Sequence, residues 1–562
     1  MKKKILPVIA AVVLIVILAA ILIVGKVVDK YIPTDERMDS AEYYGITGEG
    51  QVPVILQDEV APEQSMLVEG VPYLNYHTVK DSLNSRFYWD SANQLMLYTT
   101  PTDVIKIPAG SAEYTVSGEE KSFDQIIVRL EGETPYIEAD FVKQYTNMTY
   151  ETLQEPDRIL VTYKWGTIQQ AKVKRDEDVR YQGGVKSPIL TEVSKGDLVT
   201  VLEQLENWTR VATADGYIGY VRNKKLGSVK ETTISNEFTE PEYTRIRKDY
   251  TINLVWHQIS NMDSNYALST DMESMTGVNT ISPTWFSVAS KDGTISSLAD
   301  ASYVETAHEK GLEVWGLVDN FNQEVDMKEV LTNTTAREKL TDQLIEAALE
   351  YQLDGLNIDF ENLGEELGDA YIEFLRELSV QCRKNGLVLS SDNTVPRDFS
   401  SYYQRSEQAE VVDYFIIMGY DEHYSGSEPG SVASLSFEKE GIEATIAEGV
   451  PADKIISGVP FYTRLWKTDT NGEVSSEAIG MDKADATLEA KGVTANWSDE
   501  TSQDYAEYHD PDGALYQIWL ENEASIELKA KLVPEYQLAG IAAWKLGFER
   551  SSIWDVISTN IK

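Results

Sequence analysis

The 562-residue sequence has one cysteine, Cys382, so no disulfide can form within the chain. Cys382 shares the apolar stripe of an expected helix with Phe374, Leu375 and Leu378, the setting of a buried, inert thiol rather than a nucleophile. Histidine is also scarce. His77, His257, His308, His423 and His509 are scattered without metal-ligand spacing, and neither a metal nor a cofactor is expected. Positive charge is short: 49 Lys and Arg stand against 92 Asp and Glu, for a net charge of −43. A phosphate backbone would be repelled, which excludes nucleic acid as a partner. The apolar fraction of 42% and charged fraction of 25% are those of a globular protein. The length exceeds one ordinary core, so about three or four domains are expected.

One long apolar run is present. Lys2, Lys3 and Lys4 precede an uncharged, mostly aliphatic stretch from Ile5 to Gly25. At about 1.5 Å per residue, roughly twenty residues cross a hydrocarbon core. The lysines would stay cytoplasmic, placing everything after Lys26 outside the cell. The run Ile21–Val27 has no small-x-small cleavage site, so residues 1–26 are expected to be an uncleaved single-pass anchor in the cell membrane.

Residues 27–65, with Pro33, Pro53, Pro62 and weak periodicity, read as a stalk. An internal repeat follows over 66–165. A step of 63 places Pro72 on Pro135, Val79 on Val142, and Met96-Leu97 on Ile159-Leu160. Each unit reads as a strand, a short helix (His77–Leu83; Ala139–Tyr145) and a hairpin, and two stacked units can share a core that neither has alone. This arrangement resembles the copper-amine-oxidase-like N-terminal domain of cell-wall proteins, without any metal site. Over 178–228, Leu198–Leu202, Trp208–Val211 and Tyr217–Val221 are short β runs, with turn signals at Ser194–Asp197 and Asp215-Gly216. They resemble a bacterial SH3-like barrel, often a wall-binding module, in which Trp208 and Tyr217 are either exposed stacking groups or core aromatics.

Residues 243–562 alternate β-branched runs with helical stretches. Strands are expected at 251–256, 280–285, 313–318, 355–360, 387–391, 414–420, 455–460 and 540–544, which makes an α/β fold, an eight-fold βα (TIM) barrel. Thr335–Glu338 reads as a capping box, and Gly386 as a helix C-cap. In the fourth strand, Asn357, Asp359 and Glu361 share one face, while Leu356, Ile358 and Phe360 share the other. A structural strand has little use for three inward polar groups, since each costs roughly 1–3 kcal/mol if buried unpaired. Glu361 at the rim can act as an acid if burial and a nearby carboxylate raise its pKa. Asp359 stands about 7 Å behind it along the strand. No second carboxylate nucleophile is evident.

The run Asp354–Glu361 resembles the Asp-x-x-Asp-x-Asp-x-Glu motif of glycoside hydrolase family 18. Met418-Gly419-Tyr420-Asp421, Gly458–Tyr462 and Trp544 are similar to that family's sixth-, seventh- and eighth-strand signatures. The resemblance implies a retaining, substrate-assisted glycosidase. Glu361 would be acid and then base, Asp359 would steady the acetamido nitrogen, and Tyr420 would bond its oxygen. Asn357, Met418, Asp421, Tyr462 and Trp544 would line the substrate site. Asn357 departs from the usual aspartate and is similar to the spore-germination and cortex-lytic N-acetylglucosaminidase branch. The expected activity is cleavage of β-1,4 bonds beside N-acetylated amino sugars in peptidoglycan. The alternatives are a chitinase-like hydrolase and a catalytically silent glycan-binding scaffold.

Overall fold

The computed structural model describes residues 9, 11–18, 20–21 and 30–562. Among the described residues no helix is long and apolar enough to cross a membrane. Of the expected anchor, residues 1–26, only 9, 11–18 and 20–21 are among them, and the rest lies outside the described residues. The chain divides into two compact units, one of residues 1–89, 107–115 and 119–240, the other of 90–106, 116–118 and 241–562.

In the first unit the repeat is visible as symmetry. Val71–Asn75 and Thr134–Glu138 pair antiparallel, with Leu74 opposite Ile137. These two residues are separated by the repeat step itself, so each copy of the strand pairs with the other about a local two-fold axis. The helix Ala139–Tyr145 forms as expected, while His77–Leu83 splits into a short α turn and a π turn ending at Leu83. The span read as a stalk instead carries structure from Ser40 onward. A helix, Ser40–Tyr44, is followed by Val54–Leu56, which pairs parallel with Arg158–Thr162. Tyr44, Ile55, Leu190, Tyr217 and Ile218 form one apolar cluster. Tyr217 is therefore core, 7% exposed, and not a free stacking face. The SH3-like barrel is a seven-stranded sheet, extended at one edge by the paired strands Gly166–Lys172 and Lys230–Ile234, around a valine-rich core.

The second unit is a closed parallel barrel. Its strands are β1 (Ile252–His257), β2 (Thr280–Val288), β3 (Glu313–Asp319), β4 (Gly355–Asp359), β5 (Val388–Thr394), β6 (Tyr414–Met418), β7 (Ile455–Pro460) and β8 (Gly540–Trp544). Each pairs parallel with the next, and β8 closes on β1 through Ile252 opposite Gly540. All eight expected strands form. Ile252, Leu254, Trp315, Leu317, Val388, Ile416, Ile456 and Ala542 pack inside the barrel, leaving polar inward residues for its C-terminal end.

The long helix after β3, Thr334–Glu350, starts from Asn333, whose side chain accepts from the Ala336 N–H at 3.3 Å. The expected capping box does not form, because the helix begins earlier and Thr335 lies inside its first turn, while Glu338 pairs with Lys106. Gly386 does cap the helix after β4, Gly368–Asn385, with φ 69°, a left-handed conformation that glycine adopts without strain. Arg337, fully buried, bridges these two helices by bonding both carboxylate oxygens of Glu377. Between β7 and β8 lies a five-stranded antiparallel sheet over 462–520 with the helix Met481–Lys491. Nothing was expected there, because its short alternating strands interrupt the βα rhythm.

Candidate active site

The inward face of β4 presents Asn357 and Asp359, and Glu361 follows just beyond the strand. Asn357 is fully buried and its amide is spent in two directions. Its Oδ1 accepts from the Trp256 indole N–H at 2.9 Å and from the Ser282 hydroxyl at 3.0 Å. Its Nδ2 donates to Asp392 Oδ1 at 2.7 Å. Trp256 fits because β7 carries Gly458 beside it. A Cβ at Gly458 would stand 2.6 Å from the Ile417 carbonyl and 3.3 Å from the Trp256 ring.

Asp359 is buried, and its Oδ1 has no hydrogen-bond partner. Burial, then the charges of Asp392, Glu361 and Asp319, hold its carboxyl well above the usual carboxylate range. Burial pushes Asp392 up to about 8, with Glu361 adding to the shift while its bond from Asn357 and the nearby Trp256 indole oppose it. Glu361 is also raised, first by burial and then by the charge of Asp421. Its backbone is clamped on both sides by Asn320, which accepts from the Glu361 N–H at 2.9 Å and donates to its carbonyl at 2.8 Å.

β6 and the residues after it complete the arrangement. Asp421 follows Tyr420 in the left-handed region at φ 60° and accepts from the Tyr462 hydroxyl at 2.6 Å. The Tyr420 ring lies 6.4 Å from Trp256 and 6.2 Å from Tyr462, both edge-on. Burial raises the Tyr420 phenol strongly, with Tyr462 and the carboxyls of Asp359, Asp392 and Glu361 adding to it, so the hydroxyl stays a donor. Trp544, partly exposed at the end of β8, lies 6.1 Å from Trp256, and the Trp544–Lys545 peptide is cis. Met418 is buried one pleat below Tyr420 and brings no polar group.

The structure thus gathers Asn357, Asp359, Glu361, Tyr420, Asp421, Tyr462 and Trp544 at one end of the barrel. Sequence reasoning missed Trp256, Ser282, Asp319 and above all Asp392. The signal for Asp392 was there. On β5 the inward positions run Val388, Ser390, Asp392, and the expected strand ended one residue short.

Residues 260–549 match the family described as Glycosyl hydrolases family 18, 178–226 match Bacterial SH3 domain, and 55–159 match Copper amine oxidase N-terminal domain. The chain is 27% identical to the uncharacterized glycosylase YvbX of Bacillus subtilis over 48% of its own length and 82% of that protein. It is 27% identical to the cortical fragment-lytic enzyme of Bacillus subtilis over 41% of its own length, spanning 54% of that enzyme. Among solved structures, the spore cortex-lytic enzyme SleL of Bacillus cereus superposes with a TM-score of 0.51 at 20% identity. It covers 59% of this chain and 77% of that one, a likeness of fold.

Proposed function

The chain belongs to glycosyl hydrolase family 18, and from that membership we propose a retaining, substrate-assisted cleavage of β-1,4 bonds beside N-acetylated amino sugars in peptidoglycan. It is a glycoside hydrolase acting on chitin or peptidoglycan-like glycans. The observation that carries the finer reading is the unpartnered Oδ1 of Asp359. A buried acceptor without a donor costs roughly 1–3 kcal/mol, and an acetamido N–H of the substrate would satisfy it.

In this reading Glu361, kept protonated by burial and by Asp421, donates its proton to the leaving glycosidic oxygen. The acetamido oxygen of the sugar attacks the anomeric carbon, forming an oxazolinium ring. Asp359 accepts from the acetamido N–H and stabilises the positive charge, and Tyr420 donates to the acetamido oxygen. Glu361, now a carboxylate, takes a proton from water as the water opens the ring. Two inversions give net retention. Trp544 is the stacking surface for the sugar, and Tyr462 holds Asp421 in place.

Lys2–Lys4 and the apolar run after them would hold the enzyme at the outer face of the cell membrane, within reach of the wall. The test uses the full chain in detergent with purified peptidoglycan and, separately, chitin oligomers, identifying new reducing ends by mass spectrometry. New N-acetylglucosamine ends from peptidoglycan, with retained anomeric configuration and loss in Glu361→Gln, are expected. Inverted products, or full activity in Glu361→Gln, would overturn the mechanism. Cleavage of chitin alone would overturn the polymer assignment.

A further inference from the structure

We propose that Asp392 on β5, held in place by Asn357, is a positioning acid for this reaction that sets the charge of Asp359. The inference rests on the proposed hydrolysis and concerns a residue outside the Asp354–Glu361 run.

The argument begins with the amide. Asn357 Oδ1 is fixed by two donors from different strands, Trp256 on β1 and Ser282 on β2. Rotating the amide would set its Nδ2 against both donors, so Nδ2 can face only β5, where it meets Asp392. Trp256, Ser282, Asn357 and Asp392 are all buried, with no more than 2% exposure at any of them. The chain is therefore a fixed relay across four of the eight barrel strands. Where the resembling family has a carboxyl at position 357, this chain has an amide there and the carboxyl one strand over, on the same inward face.

The surroundings decide what that carboxyl does. Asp392 is faced from β4 by Asn357, Asp359 and the nearby Glu361, and from β1 by the Trp256 indole. The phenol of Tyr371, from the helix after β4, and that of Tyr420, beyond β6, feel the same charges. Asp319 on β3 acts on Asp359 from the other side. These neighbours are carboxyls, an amide, an indole and phenols. Like charges this close cannot all ionise, so they share protons. With its proton kept on Asp392, Asp359 can be an anion beside the positive oxazolinium while Glu361 still holds the proton it must donate. Once Asp392 ionises, its charge acts on Asp359 and pushes that carboxyl to hold its own proton.

The experiment is a pH profile of kcat and kcat/KM on peptidoglycan fragments for the full chain in detergent and three variants. Wild-type turnover tests the hydrolysis itself. Only if it is present do the variants bear on Asp392, so the two failures are distinct. Asp392→Asn replaces a carboxyl that ionises near pH 8 with a group that stays neutral, so the fall of kcat above that pH should move up by about one pH unit, because Asp359 no longer meets a charged neighbour there. Asp392→Ala leaves the Asn357 amide without its acceptor, and kcat should fall roughly 100-fold with KM nearly unchanged. The exchange Asn357→Asp with Asp392→Asn returns the carboxyl to β4 and should recover at least half of the lost kcat. Infrared spectra give a readout independent of turnover: the wild-type minus Asp392→Asn difference spectrum should contain a protonated-carboxyl band that persists to about pH 8, over the background that Glu438 gives in both. A fall in kcat with neither pH limb moved, or an exchange with no more kcat than Asp392→Ala, would overturn the proposal.

Discussion

An amide at position 357 does what a carboxylate there could not. It accepts from Trp256 and Ser282 on one side and donates to Asp392 on the other. One side chain thereby saturates three buried polar neighbours. The same logic applies to Asp421, whose charge helps Glu361 keep its proton. Asp421→Asn should lower the proton affinity of Glu361. The alkaline limb of kcat/KM, which follows loss of that proton, should then move to lower pH, and a limb left in place would show that burial alone sets Glu361. At this scale the site was half legible. Residues that follow one another along a strand, Asn357, Asp359 and Glu361, declare themselves by period two. Asp392, Trp256 and Ser282 come from other strands, and their relation to Asn357 exists only once the barrel register is set.

Among the elements, β7 shows how backbone geometry supports the chemistry. Gly458 leaves the room that the Trp256 ring occupies. Gly458→Ala should destabilise the protein by about 1–3 kcal/mol, as overpacking does, and tilt Trp256 off Asn357. Urea unfolding measures the first effect and kcat the second. The helix pair joined by Arg337 and Glu377 is a buried, bidentate link. Arg337→Met would strand Glu377 without its partner and should cost about 3–5 kcal/mol, read from the same denaturation curves with turnover at the rim unaffected until the protein unfolds. The eight barrel strands were readable because parallel, doubly covered strands are near-continuous apolar runs. The sheet over 462–520 was not, since its half-exposed strands, such as Val474–Gly480, carry short polar alternations that resemble loop.

For the whole molecule, charge dominates. The net charge of −43 strains the folded state by self-repulsion, so raising ionic strength from a low value should raise the unfolding midpoint. pH acts in the same direction. Asp392 and Glu438 are both pushed up to about 8 by burial, whereas unfolded carboxyls titrate near pH 4. Between those values the folded chain binds more protons than the unfolded one, so stability is present at low pH and lost as pH rises toward 8. Carboxyls held low, such as Asp90 and Glu177, work oppositely, but their contribution is complete once pH passes the unfolded range. Urea midpoints should therefore fall from pH 6 to pH 8, and Asp392→Asn should flatten part of that slope.

Closure of the barrel also sets a timetable. β1 finds one neighbour quickly in β2, but its other edge waits for β8, with Ile252 pairing opposite Gly540. During synthesis at about 5–20 residues per second, that edge stays open for some tens of seconds. The inserted sheet lengthens the wait, because the ribosome must make it before the closing strand. An unpaired apolar edge of that duration is an invitation to other nascent chains, so a nascent chain stalled short of Gly540 has every other strand of the barrel and no way to seal it.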